Sequence, residues 1–172
     1  LIEPSAPPLA LTIAFWLHML ATVIWIGGLA ALALLVYPLA RRSLDAAAFS
    51  GLVRRINKRL DPIGWLSLAV LTATGLMQMT ASSRYEGLLR FTNAWSQAIL
   101  IKHIVFFAIL AASAYQTWGL APAIERAALL RAKGKTEDTL PNLEKRENQL
   151  MQLNLALGVL VLLLTAWARV SA

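Results

Sequence analysis

Four long stretches of this chain carry almost no charge, and they limit what it can become. Apolar runs fall at about residues 9–37, 63–80, 94–119 and 150–168, with every charged residue but Lys102 outside them. A helix needs about 20 apolar residues to cross a bilayer, and each run meets or approaches that length. Only 15% of the residues are charged, against about 25% in a soluble domain. The expected fold is all-α, a single four-span integral membrane bundle over 1–172 whose first partner is the lipid bilayer.

The net charge of +7 does not indicate nucleic acid. The basic residues lie between the apolar runs, where membrane topology accounts for them. Segments 41–61 and 123–148 hold twelve of the sixteen Lys and Arg. With four spans both segments share one side, and the positive-inside rule places them in the cytoplasm with both termini outside, in an inner (plasma) membrane. Trp16, Trp95 and Trp167 then mark the outer interface, and Trp65 and Trp118 the inner one. Trp25 lies well inside the first span, where packing is the simplest thing to hold it.

Residues 1–8 are proline-rich and predict an extended lead-in. Residue 1 is leucine, which suggests a trimmed or processed start and leaves a preceding signal peptide open. Span one should stop near Pro38. Leu44, Ala48, Leu52, Ile56 and Leu60 recur every four residues beside Arg54, Arg55, Lys58 and Arg59. That pattern predicts an amphipathic helix between spans one and two, either lying on an anionic membrane surface or serving as a connector. Asp61-Pro62 reads as the start of span two. Residues 81–93, with Arg84, Glu86 and Arg90, read as a polar loop. Gly134 and Pro141 argue against one continuous helix through 123–148. Spans one and three both carry a histidine and end at a proline before a charged segment, a faint two-fold pattern.

The chain has no cysteine, which excludes disulfides, thiolate metal sites and cysteine nucleophiles. It has no phosphate loop, nucleophile elbow or H-E-x-x-H motif, so the residues weigh against an enzyme. What remains is two histidines inside apolar spans, His18 and His103. Ionisable groups in spans are costly and are functional candidates by default. His18 lies twenty residues before Pro38 and His103 nineteen before Pro122. The two therefore share a depth to within ~1.5 Å along a helix axis, toward the outer side. They could present two imidazoles to one site, or each could bond a neighbouring helix. Trp25 and the pair Gly27-Gly28 follow His18, and the glycines predict a close approach by another helix.

Met19, Met77 and Met79 lie in the outer half, and thioether with imidazole is a soft set that suits Cu(I). On an ideal helix Met19 points about 100° away from His18, and methionine in apolar spans is more often filler. Lys102 either snorkels to the outer interface or meets an anionic group such as a haem propionate. Gln152 and Asn154, early in span four, need no special role. Arg169 suits the outer helix C-terminus.

His18-x6-Trp25-x-Gly27-Gly28, then Phe49-Ser50, Thr74-Gly75-Leu76 and Leu100-Ile-Lys102, resembles the copper resistance protein D (CopD) family over roughly residues 10–125. The resemblance implies copper uptake or homeostasis, with His18, Trp25, Gly27, Gly28 and Lys102 at the matching positions. His103 falls outside the expected pattern. The chain is also similar to HemJ-type protoporphyrinogen oxidases, which bind b-type haem. It departs from them at Tyr115-Gln116, where Tyr-His is expected, and the oxidase activity is in doubt on that account.

Three readings follow. The first is copper handling through an outward-facing His/Met site. The second is a haem b protein with His18 and His103 as axial ligands. The third is an accessory subunit with both histidines packed. Four spans enclose little volume, so a homo-oligomer or larger membrane complex is the expected setting.

Overall fold

A computed structural model describes residues 7–82, 85, 94–133 and 139–170. Four helices among them are long and apolar enough to cross a membrane: Pro8–Ser43, Ala48–Thr80, Ala94–Arg131 and Leu140–Val170. The all-α bundle expected from the charge pattern is therefore found. The residues expected to form the 81–93 loop lie outside the described residues, apart from 81, 82 and 85.

The first span is α1 (Pro8–Ala30), a π-helical stretch (Ala31–Val36) and α2 (Tyr37–Ser43), all one rod. Pro38 does not end it, contrary to expectation. Proline lacks an N–H and its ring crowds the carbonyl four residues back. The chain widens just ahead of it, and the Tyr37 N–H bonds the Leu32 carbonyl five residues back. The third span repeats the device. Helix α4 (Ala94–Ala114) passes through a π-helical stretch (Tyr115–Leu120) into α5 (Ala121–Ala132), and the Ala121 N–H reaches the Gln116 carbonyl. Each wide stretch ends two residues before a proline, Pro38 or Pro122. The two-fold pattern thus extends to the backbone.

The second span corrects two expectations. Helix α3 runs unbroken from Ala46 to Thr80, with Pro62 in its interior. Asp61-Pro62 is not its start. The N-cap is Asp45, whose Oδ1 accepts from the Ala48 N–H at 2.8 Å, as capping carboxylates do. Nor is there a separate interfacial helix between spans one and two. The stripe Leu52, Ile56 and Leu60 turns inward. Leu52 packs beside Tyr37, Ala40, Phe49 and Met151, while Ile56 and Leu60 line an internal cavity. At ~1.5 Å per residue a 35-residue helix spans about 52 Å, well beyond a hydrocarbon core of about 30 Å.

The final helix is α6 (Leu140–Val170). Helix α1 packs chiefly on α3, and α4 chiefly on α6, so each histidine-bearing span has the following span as its main partner. Contacts between α1 and α6 join the two pairs. Trp25 sits at that junction, 8% exposed, with Leu68 of α3, Val105 and Ile109 of α4, and Leu164 of α6. Packing does hold it.

Helices in lipid gain little from hydrophobic burial against one another and rely on close contact at small residues. Against Trp25 the small residues are Gly158 and, less closely, Gly64. A Cβ at Gly158 would lie 3.1 Å from the Trp25 ring, and one at Gly64 would lie 4.0 Å from it. The pair Gly27-Gly28 has no such neighbour within 4 Å. The helix approach expected at that pair is not there, and Gly28 borders the internal cavity instead.

Candidate functional site

The half of the α1–α3 contact nearer the N-terminus holds His18. Its Nδ1 lies 2.8 Å from the Thr74 hydroxyl, and Gly75 leaves space for the ring, since a Cβ there would lie 3.5 Å from Cε1. The Thr74 hydroxyl has one proton, and it goes to the Val70 carbonyl at 2.6 Å. The hydroxyl must then accept from His18, which puts the ring proton on Nδ1. The Nε2 atom keeps its lone pair. One turn away, the Gln78 side-chain amide donates to the Ala14 carbonyl at 3.4 Å and braces the same contact.

His103 reaches the same electronic state by a different route. Its Nδ1 lies 2.7 Å from the Ile99 carbonyl on its own helix. A carbonyl can only accept, so this ring also carries its proton on Nδ1 and keeps a lone pair on Nε2. Both rings are part-buried. Metal-binding histidines are held in this way, with one ring N–H given to an oxygen and the other nitrogen left to bind.

Lys102 is half-buried on α4, next to His103. Met79 is buried, 6% exposed, one helical turn beyond Gly75 and so on the face that meets His18. Met77 is half-buried, three residues beyond Thr74. Met19 is 61% exposed on the outer face of α1. Among the described residues, no three His, Asp or Glu side chains gather where they could hold a metal ion.

The other half of the bundle contains a feature that the sequence did not disclose. A cavity of about 140 Å³ lies among α1, the first π-helical stretch, α3, the second π-helical stretch and α6. Its polar lining is Asn57, Asp61, Ser113, Gln116, Thr117, Glu147 and Asn154. Asn154 is 2% exposed. Its Nδ2 donates to Gln116 Oε1 at 2.7 Å and to Ser113 Oγ at 3.3 Å. Asn57 Nδ2 donates to Glu147 Oε1 at 2.6 Å, and Trp65 Nε1 donates to the Thr117 hydroxyl at 3.2 Å. Trp65 also stacks on Trp118, with ring centroids 4.8 Å apart. Toward the end bearing the basic segments, a wider pocket of about 540 Å³ shares Asn57, Asp61, Thr117 and Glu147 with the cavity and adds Glu125 and Glu144.

Asn154 therefore has a role, whereas Gln152 faces outward. The cavity was hidden because its lining comes from four separate spans and its polar residues form no short motif.

Residues 54–168 match the family model described as copper resistance protein D. No curated protein and no solved structure matches the chain.

Proposed function

The chain belongs to the copper resistance protein D family, and on that footing we propose that it handles copper, for uptake or homeostasis, at a site in its outer half. His18 and His103 supply imidazole Nε2 ligands, and Met79, with Met77 beyond it, supplies thioether. Such a set is soft and suits Cu(I).

The observation that carries this reading is the shared state of the two rings. Each has its Nδ1–H committed to an internal oxygen, Thr74 or Ile99, and each keeps a lone pair on Nε2. Trp25 supports the site from within the core, two helical turns from His18. Lys102 works against a bare cation at His103 and favours copper that arrives with an anionic ligand.

The test is an absorption spectrum and a metal analysis on one detergent-purified sample, repeated for His18→Ala, His103→Ala and the double variant. Stoichiometric copper in the wild type, lost in the double variant, is the expected result. Unchanged copper in the double variant overturns the assignment. A Soret band with stoichiometric iron would replace copper by haem b at the same two residues.

A further inference from the structure

The cavity in the other half of the bundle has a chemistry unlike that of the histidines. Its polar atoms are side-chain oxygens, amides and the Trp65 indole nitrogen; Met151 brings one thioether, and no imidazole lines it. Two carboxylates, Asp61 and Glu147, border it, and no Lys, Arg or His does. The basic residues Arg54, Arg55 and Lys58 line only the wider pocket outside.

A second observation points the same way. Asn154 has given both hydrogen bonds of its amide nitrogen to Ser113 and Gln116, and its Oδ1 is buried with no partner. An unsatisfied buried acceptor costs about 1–3 kcal/mol, and native interiors rarely leave one empty. The Asn57 amide nitrogen donates one hydrogen bond to Glu147, and its carbonyl oxygen is left for another ligand. Two carboxylates and the unpaired oxygens of Asn57 and Asn154, with no basic side chain among the lining residues, together suit a positive group. Carboxylate and carbonyl oxygens select hard cations, not copper(I). A space of about 140 Å³ also leaves room for water retained by the ion, since a water takes about 30 Å³ in the liquid.

We propose that the cavity formed by Asn57, Asp61, Gln116, Glu147 and Asn154 binds a hard cation, through oxygen atoms, from the end of the bundle that carries the basic segments. It is separate from the histidine site and is reached from the opposite end. The chain then has two cation sites of opposite softness, one in each half of the membrane.

The experiment measures the thermal midpoint of the purified full chain in choline chloride, then with NaCl or MgCl2 replacing it at equal ionic strength. A saturating rise with Na+ or Mg2+ is expected. It should be lost in Asn154→Leu and in the isosteric Glu147→Gln, while copper stoichiometry at the other site stays unchanged. If Asn154→Leu fails to fold, Glu147→Gln decides. The same midpoint in all three salts, meaning that the cavity holds water alone, overturns the proposal. So does a rise that survives in Glu147→Gln, which would place the ion elsewhere. Copper binding is read separately, so either site can fail without the other.

Discussion

Replacing Thr74 by valine removes one oxygen and almost no volume, so it isolates what the hydroxyl does for His18. In the wild type that oxygen accepts the Nδ1–H at 2.8 Å and passes its own proton to the Val70 carbonyl at 2.6 Å. In Thr74→Val the Nδ1–H faces apolar surroundings without a partner, at a cost of about 1–3 kcal/mol. The ring can recover by moving its proton to Nε2 or by rotating, and both remove the lone pair from where it was held. Loss of such an outer partner costs metal sites about 10- to 100-fold in affinity, which is about 1.4–2.8 kcal/mol. The two estimates agree in size, as they should if one hydrogen bond is responsible for both. The assay is a Cu(I) competition titration against a chromophoric chelator, with thermal unfolding on the same samples. Thr74→Ser keeps the oxygen and should retain wild-type affinity. A folded Thr74→Val that binds Cu(I) within two-fold of the wild type would refute the reasoning, because the hydroxyl would then not be setting the ring.

Two further predictions concern the frame. Gly158→Val pushes its side chain into Trp25 and Ile26, where even a Cβ would lie 3.1 Å from the indole. It should destabilise the fold by about 1–3 kcal/mol, whereas Gly27→Ala, with open space around it, should be neutral or stabilising by up to about 1 kcal/mol. Unfolding in mixed detergent would compare them, and equal effects would contradict the packing described. Asp45→Ala removes the cap on α3 and should cost about 0.5–2 kcal/mol, with amide exchange at residues 46–49 as the local readout.

The spans were legible because charge is excluded from lipid, and that rule leaves its mark on every residue of a span. Their ends were less so. Pro38 and Pro122 read as stops, since a sequence does not reveal that one wider turn will absorb each ring. Asp61-Pro62 has the residues of a helix start, yet the cap that forms is at Asp45, sixteen residues earlier. The stripe Leu52, Ile56, Leu60 has the same spacing whether it faces lipid or protein, and only the neighbouring spans decide between them. In the site, His18 and His103 stood out by rarity. Thr74 did not, because its role depends on a contact 56 residues away in sequence. Asn154 looked like an ordinary polar residue near the interface until Ser113 and Gln116 were placed against it.

The π-helical stretch Ala31–Val36 also settles a question of phase. Ala21, Trp25, Leu29, Ala33 and Tyr37 follow at strict four-residue intervals, and all turn inward to some degree. On an α-helix each such step drifts by about 40°, so Tyr37 would end about 160° around from Ala21, facing the opposite side. The wide turn takes up one extra residue and cancels much of that drift. It brings Tyr37 back to Phe49, with ring centroids 5.0 Å apart, and lets its hydroxyl donate to the Glu144 carbonyl at 3.2 Å. The stretch therefore acts as a one-residue insertion within a helix. Shortening this rod by a single residue there would rotate everything beyond it relative to His18 and Trp25, although neither of those residues had been changed.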